Sequence, residues 1–432
     1  MRRVVVTGIG IVSPLGIGTS ASWQNLIAGQ VAIRRVAAFD PSGFPCQLAG
    51  QVPAYKIGDF VPKSYRKATK VMARDIELAV LAADDAFKSS GIQSKAYTDS
   101  PSFNSDRFGC NIGAGLISAD LNELTAAFHT ARSGAVLDLK QWGTDGMQQL
   151  TPLWLLKYLP NMLSCHVTII HGLKGPSNTI TCADSSGHLA IGEAFRTIQR
   201  GDSDFAICGG AQSRMNPMAF MRQTLLKRLN ATSNDQPGLA LRPFDAAAGG
   251  SVLGEGGGLL ILEEYEQAKS RGAKIFCELA GFGASQDAYS ISDPDPCGRA
   301  YGSAIAKAMA DAGVKAAEVS CLIPCGTGQP SHDQAEMAGL QKAFGAALAD
   351  IAMALPKSQT GNLEAGSAAE CAFAALAIAN NTVPPAINTT RVAAQQRLNL
   401  SAISRQQPVT VAVSSVWSIG GQNAALVFRK IQ

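Results

Sequence analysis

The chain has 432 residues, of which 46% are hydrophobic, enough to bury a large core and more than one small domain would use. Its 37 basic and 33 acidic residues are interspersed and leave a net charge of +4, so no cationic tail or stripe marks it as a nucleic-acid binder. No window supplies the roughly 18 uninterrupted apolar residues of a membrane span, and the ten cysteines form no CxxC pair, as expected of reduced thiols in a cytoplasmic protein.

The first segment, VVVTGIGIVSPLG, is broken early by Gly8, Gly10 and Pro14 and lacks a small-residue cleavage site, which makes it a first strand rather than a signal peptide. Short β-branched runs then alternate with Ala-rich helical patterns. A helix is predicted at 73–89, and strands at 108–112, 179–182, 204–208 and 257–262. A charged helix at 263–271 closes this first pass. A second pass repeats the scheme loosely, with strands at 275–279, 320–324, 410–416 and 424–428 and helices at 304–312, 335–344 and 368–380. This predicts a duplicated α/β architecture with halves at 1–264 and 265–432. The Trp-, Pro- and Gly-rich stretch near 130–162 fits neither period and is expected to leave the core as a lid or interface element.

Residues 178–210, NTITCADSSGHLAIGEAFRTIQRGDSDFAICGG, describe a strand, a tight polar turn, an amphipathic helix and a second strand. A side chain in such a turn faces the unpaired N–H groups and positive dipole end of the helix, where a nucleophile is well placed.

This block resembles the nucleophile region of the β-ketoacyl-ACP synthases, and the likeness extends along nearly the whole chain. YLPNM, GLKGPSNT, the long stretch from LRPFD through VLGEGGG to SRGAKI, the KAS II-like GFGASQDAY, CGTGQPSHDQAE, PKSQTGN and SIGGQNAALVF follow in the family's order. The resemblance implies the thiolase fold, a duplicated five-layered αβαβα arrangement that works as a dimer. In active members an elbow cysteine holds the acyl chain as a thioester, and two histidines assist decarboxylation of malonyl-ACP and stabilise the enolate and oxyanion.

Each of these positions is altered here. Counting back eight residues from Gly192 puts Asp184 at the elbow, with Ser186-Gly187 behind it. Cys182 lies two positions early, which predicts a strand cysteine of the core or interface, with a shifted nucleophile as the competing reading. A carboxylate suits the helix N-terminus, and Lys357 is a candidate to neutralise it. Cys325 stands in the HGT motif where the first histidine belongs, and Asn362 ends the KSxTGH motif where the second belongs. Neither manages protons near neutral pH as an imidazole does. His129, His166, His171, His188 and His332 align with none of these positions and show no metal-ligand spacing, so ordinary structural roles are expected. Lys357, Glu336, Asp333, Glu255 and Asn423 match the family's frame.

An intact frame around an emptied centre resembles the chain length factor, the silent partner of an active ketosynthase in type II polyketide synthases and related polyene systems. That resemblance implies a heterodimer, an acyl carrier protein presenting a phosphopantetheine-bound chain, and no metal or other cofactor. It also implies a substrate tunnel at the subunit interface. Leu116, Ile117 and Ala119, on a predicted helix ending near Phe128, are the tunnel candidates together with Ile419, which occupies the gate position before Gly420-Gly421. Strand 178–182 is expected at the dimer axis, with PLWLLKYLPNM beside it. Two readings compete: a malonyl-ACP decarboxylase, whose known forms keep both histidines, and a divergent synthase using Cys182.

Overall fold

The computed structural model describes residues 1–393 and 397–431. Its main sheet contains ten principal strands: β1 (Val4–Ser13), β2 (Phe108–Ala114), β3 (Ser177–Ile180), β4 (Phe205–Gln212), β5 (Gly256–Glu264), β6 (Cys277–Gln286), β7 (Cys321–Ile323), β8 (Ala352–Met353), β9 (Val411–Trp417) and β10 (Gln422–Arg429). The first half runs β1-β5-β4-β2-β3, antiparallel for two pairings and then parallel. The second half, β6-β10-β9-β7-β8, repeats that pattern of directions. The duplication read from the sequence is thus present in the hydrogen-bond ladder itself. The two five-stranded layers are also joined: Val4, Val5 and Val6 of β1 pair with Leu279, Glu278 and Cys277 of β6.

Six helices complete the five layers. α1 (Arg74–Ser90) and α2 (Met162–His171) cover the outer face of the first half, and α4 (Arg299–Ala312) and α5 (Pro330–Phe344) cover that of the second. Between the layers lie α3 (Ser186–Arg200) and α6 (Ala368–Asn380). Every residue of α6 from Ala368 to Ile378 is buried, Glu370 included, as expected of a helix that is otherwise apolar on all sides, and its alanines let strands approach from both faces. Close packing is needed at Gly187 too, where an added Cβ would lie 2.6 Å from the Cβ of Ala368. The thiolase-type arrangement expected from the motifs is therefore the one observed.

Several local expectations are corrected. The helix placed at 263–271 begins only at Tyr265, because Glu263 completes the ladder of β5 and pairs with Arg271, while the carboxylate of Glu264 accepts the Gln267 N–H and caps the short helix. The segment carrying Leu116, Ile117 and Ala119 is a loop, and the helix starts at Leu121, capped by Asp120. β3 stops at Ile180, so Cys182 is outside the strand and caps the 3-10 turn Ala183–Ser185. The excursion near 130–162 folds into a two-residue-per-strand hairpin and short helical turns that expose Val136, Leu139, Met147, Leu153 and Leu155.

Candidate functional site

The turn between β3 and α3 is built on a backbone conformation that L residues rarely adopt, with Ala183 at φ 47°. The Ser186 hydroxyl fastens it by accepting the Cys182 N–H at 2.8 Å and donating to the Ala183 carbonyl at 2.7 Å. Asp184 is consequently delivered, 93% buried, to the start of α3. Its Oδ1 accepts a hydrogen bond of 2.8 Å from Nδ2 of Asn362. Two of the positions singled out by the motifs thus meet directly.

Cys325 lies in the next loop, and its thiol donates to the Trp417 carbonyl at 3.6 Å. Burial drives that thiol's pKa far above the usual range, and the positive charge of Lys357 offsets only part of the effect. Glu336 shapes the loop by accepting the N–H groups of Cys325 at 2.6 Å and Gly326 at 2.8 Å and the Tyr301 hydroxyl at 2.5 Å. Gly326 and Gly328, at φ 50° and 73°, permit the chain to turn around this carboxylate. Asp333 holds the far side through the N–H groups of Phe244 and Gly328.

The expectation that Lys357 neutralises Asp184 is not met. Lys357 Nζ instead pairs with Glu370 Oε1 at 2.5 Å, both side chains being almost wholly buried. Burial opposes the ammonium charge, but the neighbouring Glu370 carboxylate holds the lysine pKa above its ordinary value. The lysine's ion pair is with Glu370 and not with Asp184. Glu370 had no signal in the motif itself, because it lies on the helix that begins eleven residues after Lys357.

A small pocket of about 30 Å³ opens beside Asp184 and Asn362, with Arg228, Ser251, His332, Glu364 and Trp417 on its wall. A second, of about 10 Å³, lies behind it against Cys325 and Glu336 and shares His332 and Trp417. His332 lies on both walls, where its ring meets Trp417 edge-on with centroids 4.7 Å apart. Burial, with a smaller push from Arg228, brings its pKa down to about 4, so it is neutral near pH 7. The other buried histidines are accounted for elsewhere: His166 bonds Tyr65, His171 bonds Ser94 and stacks on Phe87, and His188 bonds Ser414.

Cys182 is half-buried at the turn, and burial raises its thiol pKa. It is neither a strand residue nor a member of the pocket wall. Leu116, Ile117, Ala119 and Ile419 are also absent from that wall. Leu116 is 58% exposed and Ile117 is buried in the core of the first half, while Ala119 and Ile419 are half-buried. Among the described residues no group of three or more His, Cys, Asp or Glu side chains could hold a metal ion, and no helix is long and apolar enough to cross a membrane.

Two family models account for the sequence along most of its length. The N-terminal domain of β-ketoacyl synthases matches residues 1–268 and the C-terminal domain matches residues 276–390. The chain belongs to the β-ketoacyl synthase family. It is 34% identical to the 3-oxoacyl-[acyl-carrier-protein] synthase 2 of Rhizobium meliloti (strain 1021), over 100% of this chain and 99% of the relative. Among solved structures it is similar to the ishigamide ketosynthase/chain length factor, with a TM-score of 0.85, 26% identity and full coverage of both chains. It is also similar to AntDE:AntF, a type II polyketide synthase acyl carrier protein in complex with its ketosynthase bound to the hexaketide, with a TM-score of 0.84, 25% identity and full coverage of both chains. The family thus supplies both condensing enzymes and ketosynthase/chain length factor assemblies as relatives of this chain.

Proposed function

We propose that this chain is a non-catalytic chain length factor, pairing with an active ketosynthase and helping to shape the space for a growing polyketide chain, aromatic or polyene, delivered on an acyl carrier protein. The observation that carries the reading is the Asp184–Asn362 hydrogen bond at the head of α3. A condensing centre there would need a thiolate to hold the acyl group and imidazoles to manage malonyl decarboxylation. Asp184 is a poor nucleophile whose carboxylate opposes the approach of malonyl, Asn362 has no titratable proton, and the Cys325 thiol is held protonated by burial. His332 lines the pocket from a different position, as a neutral imidazole facing Trp417.

The proposed heterodimer would form along β3, an edge strand hydrogen-bonded only to β2. Exposed Ile169 on the adjoining helix α2 and the apolar residues of the 130–162 excursion extend that face. Lys357, Glu336 and the glycine turns fit a frame retained to preserve the shape of the pair after the chemistry moved to the other subunit.

A second reading is favoured by one observation, the position of Cys182 in the turn rather than the strand. That reading makes the chain a divergent synthase with a displaced nucleophile. Co-expression with an active ketosynthase of the same organism, followed by incubation with acyl-carrier protein and mass spectrometry of both subunits, separates the two. A one-to-one complex acylated only on the partner is expected. An acyl group on Cys182 or Cys325 of this chain would make it an enzyme and end the silent-partner reading.

A further inference from the structure

A chain of polar contacts runs from the Asp184 pocket to the exposed Leu116 loop. Glu364 lines the pocket two residues beyond Asn362, and its own N–H donates to Asn362 Oδ1 at 3.2 Å. Arg214, two residues past the end of β4, grips Glu364 Oε2 through both Nε, at 2.6 Å, and Nη2. The remaining oxygen, Oε1, accepts Gln223 Nε2 at 2.9 Å. On the other side Arg214 Nη1 donates to the carbonyl of Leu116 at 3.4 Å. A second link runs parallel: Gln212 accepts the Ala365 N–H at 3.0 Å, while its amide fills the space into which a Cβ on Gly115 would project.

Both charged side chains are nearly inaccessible, at 9% and 4% exposure. Burying an ion pair forgoes the hydration of two charges and brings little net stability over apolar residues of equal volume. Glu364 also sits at φ 48°, an uncommon conformation for a side chain with a Cβ. A strained backbone and a desolvated ion pair at one point invite a reason beyond packing.

We infer that Arg214 and Glu364 form a charged partition that closes this subunit's own route from the Asp184 pocket to the Leu116 surface, so that no acyl chain crosses it from within. An alkyl chain gains by meeting apolar walls and loses by displacing the mutual bonds of two buried charges. The pocket on the Asp184 side, at about 30 Å³, is also far below the roughly 300–1,000 Å³ of ordinary ligand pockets. The inference rests on the silent-partner reading and deepens it: a chain reaching Leu116 enters from the other subunit. Arg214 and Glu364 are specificity-determining residues and touch no reacting atoms.

The test compares wild type with Arg214→Ala/Glu364→Ala, which removes both charges together and leaves neither uncompensated. The probe is dodecanoyl-pantetheine with an amide in place of the thioester, titrated by calorimetry into the full chain co-purified with its ketosynthase, whose own cysteine has been blocked. Circular dichroism verifies folding, and the Arg214→Met/Glu364→Leu variant, which fills the volume without charge, serves as a stability control. The expected result is one additional saturable site in the double-alanine variant, at least about tenfold tighter than any uptake by wild type, which is about 1.4 kcal/mol. Adding Leu116→Trp should abolish that site. Equal uptake by wild type and the folded double-alanine variant would overturn the partition. Covalent acylation of this chain by an acyl-carrier protein would refute the silent-partner reading, and the partition would still be decided by the uptake comparison.

Discussion

Asn362 donates its side-chain amide to Asp184 over 2.8 Å, joining two positions 178 residues apart in sequence. The bond occupies the head of α3, where a thiolate would be favoured by the helix N-terminus. Replacing Asp184→Cys should therefore create a thiol that iodoacetamide or acyl-carrier protein modifies, while on the silent-partner reading condensation stays absent because no histidine stands at position 325 or 362. Intact-mass measurement of the variant checks this. A thiol at position 184 that stays unmodified under conditions that alkylate Cys297, the exposed cysteine, would show that Asp184 does not occupy the acyl-accepting position.

The same bond supplies structural order. Asn362→Ala leaves the buried carboxylate without its side-chain donor and should cost about 1.5–3 kcal/mol of stability, the range for a hydrogen bond to a charged group. Asn362→His offers a ring N–H to the same oxygen and should recover part of that loss. Urea unfolding of the three proteins measures it, and an Ala variant as stable as wild type would mean the bond contributes nothing.

Asp75 predicts a pH dependence. It is buried at the start of α1, where its Oδ1 accepts the Ser213 N–H. Burial raises its pKa from 3.8 to about 7, against the lowering effects of that hydrogen bond and of Arg214. The folded chain then holds a proton that the unfolded chain releases between those values, so stability is greater at the acid end and falls as pH rises through about 4 to 7. Asp75→Asn keeps the accepting oxygen and removes the titration. Its unfolding free energy should decline less over that window, by an amount on the order of a few kcal/mol. Parallel slopes for the two proteins would refute the assignment.

Ile169 on α2 is 50% exposed beside the edge strand β3. Ile169→Glu adds charge to a face proposed to be covered by the partner and should weaken the heterodimer at least about tenfold, or about 1.4 kcal/mol. Sedimentation velocity at several concentrations, with circular dichroism as the folding control, measures the change. Unaltered association would move the interface elsewhere.

Leu116 and Ile117 should respond differently to the same substitution. Leu116→Trp projects from an exposed position and is expected to shorten the product of the reconstituted pair without unfolding this subunit. Ile117→Trp forces a larger ring into a filled core and should cost about 1–3 kcal/mol. Product mass spectrometry and thermal melts separate the two effects, and an unchanged product from Leu116→Trp would remove Leu116 from the tunnel.

The frame was legible in one dimension because its constraints are local. Alternating β-branched runs, Ala-rich helices and glycine turns specify α1, β4, β5 and α6, and the strand-turn-helix pattern of 178–210 puts a polar turn at a helix N-terminus, while the assignment of Asp184 to the elbow came from the family resemblance. The limits of β3 were not legible, because Thr181 and Cys182 suit a strand as well as a turn and only the left-handed Ala183 decides between them. The neighbour of His332 was not legible for a related reason: nothing near it in sequence announces Trp417, which reaches it from β9.

Ordered motifs determined the family and the duplicated architecture, and they single out Asp184, Cys325 and Asn362 as the positions to question, since these depend on which residue stands at which position. The tertiary structure alone decided that Asp184 faces Asn362, that Lys357 answers to Glu370, and that Arg214 bridges Glu364 and the Leu116 loop. Most of those pairings join elements distant in the chain, and even Lys357 and Glu370 meet only once two successive α-helices are packed; the geometry of burial, and no local pattern, selects which charges and amides must satisfy one another.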